Sequence, residues 1–136
     1  MKSEVFFCCI ILTLCSCMSK TEQFNDFLNQ QLGENYSSFI QKYTYVVIIP
    51  RTGCHSCVEH ADTFFDNNKM KKDYLFIFTK LVSEKQLRIE LGSVNLSLSN
   101  VIVDKKNLFY SMKFEDSEYP LLLKKEGNHF VFKFLN

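Results

Sequence analysis

The tightest constraint on the fold is the run Tyr43 to Ile49 (YTYVVII), closed by Pro50. Aromatic and β-branched residues favour an extended chain. A run without polar alternation reads as a central strand buried on both faces. Beyond it the period changes. Cys54, Cys57, Val58, Ala61, Phe64 and Phe65 recur at helical spacing and mark one face of an amphipathic helix, with Glu59, Asp62, Asp66 and Asn67 largely off it. The unit is a strand, a Pro-Arg-Thr-Gly turn, and a helix that starts with Cys54-His55-Ser56-Cys57.

The remaining elements follow from the same signals. Ser19 to Tyr43 reads as helical, with Phe24, Phe27, Leu28, Leu32, Phe39, Ile40 and Tyr43 at helical spacing, a break at Gly33, and Ser37 as the cap of a second, shorter helix. Tyr74 to Phe78 is a second buried strand. Leu81 to Gly92 is a helix with a Ser83/Gln86 capping box, a Val82–Leu87 staple and a stop at Gly92. Asn100 to Val103 is a third, short strand, and Leu108 to Phe114 fits either a helical turn or a strand. Glu118 to Leu123, a Lys124–Asn128 turn and His129 to Leu135 form a hairpin. Its edge strand puts Phe130, Phe132 and Phe134 on one side.

A chain of 136 residues with 14 Phe suits one aromatic-rich core, and no repeat or second domain interrupts it. The 16 Lys and Arg are matched by 15 Asp and Glu, so no basic excess points to nucleic acid; lysine runs such as Lys69 to Lys72 read as a solvated face.

Four of the six cysteines (Cys8, Cys9, Cys15, Cys17) fall in the first 17 residues. There a short head carrying Lys2 precedes the apolar stretch Val5–Leu14, which is too short to span a bilayer and suits the core of a secretory signal. Leu14-Cys15-Ser16-Cys17 resembles a bacterial lipobox. The resemblance implies removal of residues 1–16 and lipidation of Cys17. The chain then divides into a lipidated N-terminus with a helical region over 17–42 and a domain over 43–136. Met18 and Ser19 carry no acidic retention signal, which favours the outer over the inner membrane of a bacterial envelope. The mature domain then keeps two thiols, Cys54 and Cys57, in an oxidising compartment.

At a helix start the dipole and free N–H groups favour a thiolate, so Cys54 can be the nucleophile and Cys57, one turn later, the resolving thiol. In such motifs the first cysteine titrates anywhere from ~3.5 to ~7.5. Arg51 and His55 are candidates to tune it, and a protonated His55 argues against the most reducing potentials, near about −270 mV. Haem attachment is excluded because Val58 stands where a histidine is required. Other readings stay open on the residues alone. Zinc could take Cys54, Cys57 and His60, with His129 distant. The thiolates could hold Cu(I). A structural disulfide would close only a very short loop.

The order strand, C-x-x-C at a helix start, strand, helix, strand, then Tyr119-Pro120 before a hairpin resembles the thioredoxin superfamily from about Tyr43 to Leu135, closest to membrane-tethered, TlpA-like envelope lipoproteins. The resemblance implies an α/β, thioredoxin-like fold with a mixed central sheet flanked by helices. It implies a cis Pro120 that, with Tyr119, shapes a groove for extended partners. It also implies thiol–disulfide exchange with envelope protein thiols and disulfides, fed by an electron donor or acceptor, without bound cofactor or metal. Three departures stand out. Thr52 replaces an aromatic residue, His55-Ser56 replaces Gly-Pro, and the C-terminal helix is missing, which leaves the Ser19–Tyr43 region to cover one sheet face. The alternative is a non-enzymatic lipoprotein of the same fold that binds copper, zinc or a protein partner.

Overall fold

The computed structural model describes residues 18–114 and 121–133. Helix α1 spans Lys20–Ile40, strand β1 Tyr45–Pro50, helix α2 His55–Asn68 and strand β2 Tyr74–Thr79. Helices α3 (Glu84–Leu91) and α4 (Ser93–Leu96) lead to strand β3 (Val101–Val103). A 3-10 turn at Met112–Phe114 precedes strands β4 (Leu121–Glu126) and β5 (His129–Lys133). The molecule is α/β: one mixed sheet of order β3-β2-β1-β4-β5, with β1 parallel to β2, β2 parallel to β3, and β4 antiparallel to both β1 and β5.

The unbroken apolar run has the consequence its composition demands. β1 lies centrally, and alternate residues enter two separate cores. Val46 and Ile48 face a cluster with Phe24, Leu28, Leu32 and Ile40 of α1, while Val47 and Ile49 face Ala61 and Phe65 of α2 and Leu87 of α3. Phe65 is fully buried, its ring edge-on to Phe76 and Phe78 at 5.0 and 5.2 Å between centroids. The N-terminal helical region therefore covers one sheet face, as expected from the sequence.

Several details differ from the sequence expectations. The break in α1 falls at Tyr36 (φ −140°, ψ 20°) rather than Gly33. The kink precedes the Ser37-Ser38 pair, the kind of site where helices bend. Tyr36 reaches the Phe109 ring, 5.8 Å between centroids. Ser19 caps α1 through a full capping box with Glu22. The helix expected from Leu81 starts later: Ser83 accepts from the Gln86 N–H, but the Gln86 side chain turns to Glu90, and Val82 stays 65% exposed instead of stapling. Gly92 ends α3 at φ 82°, a left-handed backbone suited to glycine, and α4 follows at once. The hairpin turn narrows to Gly127-Asn128, because Lys124 to Glu126 continue the ladder of β4 with β5.

The outer edge of β5 is closed by α1. Asn29 donates to Phe130 O and accepts from Phe130 N, and Asn25 accepts from Phe132 N. Two helical asparagines thus satisfy the edge that a further strand would otherwise pair.

Candidate functional site at the start of the second helix

β1 delivers the chain to the Arg51–Gly53 turn, and Cys54 becomes the N-cap of α2 with an extended backbone (φ −61°, ψ 120°). Cys54 is exposed, Cys57 half-buried, and both are free thiols. An N-cap position sets the side chain beside the unpaired N–H groups of the first turn, where negative charge is favoured. The Cys54 sulfur lies 3.1 Å from the Ser56 hydroxyl.

These neighbours divide the two thiols. Cys54 is lowered from 9.0 to about 7, chiefly because the Cys57 side chain donates to it, then through the Ser56 hydroxyl and the Cys57 backbone N–H. Cys57 is raised, first because its thiol donates to Cys54, then by burial and by the Cys54 charge. One thiol is poised to ionise near neutrality and the other to keep its proton, an asymmetry that suits a nucleophile and a resolving group.

Arg51, expected to tune the thiolate, is held by two carboxylates. Its side chain is 5% exposed, and its guanidinium pairs with Asp62 of α2 and, at 2.7 Å, with Glu90 of α3. It ties the turn before Cys54 to the two helices on that sheet face. His55 is 88% exposed, with Nε2 3.1 Å from Glu59 in the next turn. The groups that lower the Cys54 thiol are Cys57 and Ser56. Ser56, which sequence reasoning passed over, is one of them. A hydroxyl two residues beyond an N-cap cysteine is the signal that could have revealed it.

Cys17, Tyr119 and Pro120 lie outside the described residues. His60 and His129 are exposed, on α2 and at the start of edge strand β5. Among the described residues no three His, Cys, Asp or Glu side chains come together to hold a metal ion, and no helix is long and apolar enough to cross a membrane. Comparison of the chain with protein-family models, curated proteins and solved structures finds no match.

Proposed function

We propose that this protein is a thioredoxin-like thiol–disulfide oxidoreductase, lipid-anchored through Cys17 in the bacterial envelope and acting on the cysteines of partner proteins there. The observation that carries the reading is the exposed N-cap Cys54, lowered to about 7, with Cys57 raised one turn behind it. The mixed sheet supports the thioredoxin-like part. β4 begins at Leu121 beside Ile48, at the end of β1 from which the Cys54 turn departs, and Tyr119-Pro120 immediately precede it in sequence. In the proposed groove those two residues border the bound partner.

The reaction runs in two exchanges. The Cys54 thiolate attacks one sulfur of a partner disulfide, forms a mixed disulfide, and the partner's other sulfur leaves as a thiolate that takes a proton. Cys57 then loses its proton and attacks the Cys54 sulfur, which expels the partner's second thiolate. The partner gains two electrons, and Cys54 and Cys57 end as a disulfide. A dithiol donor reverses the last change, and in the opposite direction the same steps oxidise a partner.

The test is exchange with oxidised glutathione. Cys54→Ser is expected to abolish it, whereas Cys57→Ser should stop at a stable glutathione adduct on Cys54. Undiminished exchange by Cys54→Ser would refute the assignment.

A further inference from the structure

We propose that the end of the domain carrying Cys54 faces the bilayer, so that the redox pair serves proteins whose cysteines lie at the membrane surface. The inference rests on the lipid-anchored oxidoreductase reading and adds an orientation and a class of partner to it.

The direction of α1 carries the argument. β1 runs toward Pro50 and the Cys54 turn. β4 runs away from that end, Leu121 pairing with Ile48, and β5 returns to it, Lys133 pairing with Leu122. Along α1, Asn29 meets Phe130 and Asn25 meets Phe132. Moving toward the start of α1 is therefore moving toward the Cys54 end. At the other end Lys125, in the half of β4 far from Leu121, bonds the Gln41 carbonyl beyond α1. The capped start of α1 thus shares a pole with the redox pair.

In the sequence only Met18 separates Cys17 from the cap Ser19. Two residue steps reach at most ~7 Å. β5, against which the first half of α1 lies, is two strands from β1, a lateral offset of about 10 Å, and α1 and α2 lie on opposite faces of the sheet. A lipid on Cys17 therefore leaves this pole little room to rise from the headgroups.

The surface suits that position. Met18, Val82 and Met112 are 44%, 65% and 79% exposed. Val82 follows the end of β2 at this pole. Met112 opens the 3-10 turn whose Phe114 packs on Phe24 near the start of α1, 4.7 Å between ring centroids. Apolar side chains around an anchoring point add affinity for the interfacial layer of a bilayer. Of the other exposed large apolar residues among those described, Met70 lies just past the end of α2, at the far pole, and Ile89 and Val94 lie on α3 and α4.

The test uses the lipidated chain in phosphatidylcholine vesicles. In a Cys54→Ser, Cys57→Ser background, Val82→Cys, Met112→Cys and Met70→Cys each carry an environment-sensitive fluorophore, and quenching is read from lipids spin-labelled near the headgroup. Labels at 82 and 112 should be quenched several-fold more than the label at 70. Equal quenching, or more at 70, overturns the orientation. A chain that does not float with the vesicles overturns the anchor and the inference with it. A second arm inserts about 20 flexible Gly-Ser residues between Met18 and Ser19 of the native chain. Exchange with a disulfide attached to headgroups of the same vesicle should slow several-fold, and exchange with free oxidised glutathione should stay unchanged. If both stay unchanged the choice of membrane-surface partners is wrong, and if neither exchange occurs before insertion the oxidoreductase reading itself fails.

Discussion

The rate at which Cys54 attacks a disulfide should depend on pH in a way that separates it from an ordinary thiol. With its pKa at about 7, Cys54 is half thiolate at neutrality, whereas a thiol at 9.0 is only about 1% ionised there. The lowered pKa therefore supplies about 50 times more thiolate. Each thiolate is also less nucleophilic: a Brønsted slope of ~0.4–0.5 over two pKa units weakens it about eightfold. The net expectation is an attack about sixfold faster than an ordinary thiol near neutrality, and about eightfold slower above about pH 10, where both are fully ionised. The assay is the initial rate of reaction of the reduced protein with a small aromatic disulfide across this range, against an unfolded peptide spanning Ile48 to His60. The two rate curves should cross. Ser56→Ala should move the protein's midpoint upward, because a donor to the thiolate is lost. Curves that never cross, or a protein midpoint near that of the peptide, would refute the reasoning.

Three further outcomes are expected. Arg51→Met breaks the pairs with Asp62 and Glu90, whose carboxylates are partly solvated, so urea unfolding should show a loss of about 1–2 kcal/mol while the Cys54 midpoint stays in place. Asn29→Ala leaves the Phe130 N–H and carbonyl without their helical partner; about 1–3 kcal/mol should be lost, and light scattering should detect self-association through the opened β5 edge. Phe65→Ala removes a fully buried ring from between α2 and β2 and should lower stability by ~3–5 kcal/mol by the same unfolding assay.

The elements around the site were legible because their signals are local. The YTYVVII run is a strand from Tyr45 on, and Val46 to Ile49 are buried with apolar cover on both faces; the 3.6-residue period from Cys57 to Phe65 matches the side of α2 turned inward. Cys54 at the helix start followed directly, and so did the cover of one face by the N-terminal helix. What was not legible depends on partners far along the chain. Arg51 meets Asp62 and Glu90, and Asn29 meets Phe130, only after the sheet has assembled. A glycine marks where a helix can break, not where packing makes it bend, so α1 keeps Gly33 and kinks at Tyr36. The expected Val82–Leu87 staple likewise depended on packing that assembles late: Leu87 is buried in the core, while Val82 stays 65% exposed.

Whether Cys54 and Cys57 form a redox pair is decided by their redox equilibrium in a soluble chain beginning after Cys17. The protein is titrated against glutathione and dithiothreitol buffers, and zinc and copper are measured in the same sample. A reversible two-electron couple is expected in metal-free protein, with a potential above the about −270 mV of the most reducing members of such pairs. A pair that resists reduction, or that carries stoichiometric metal, would contradict it.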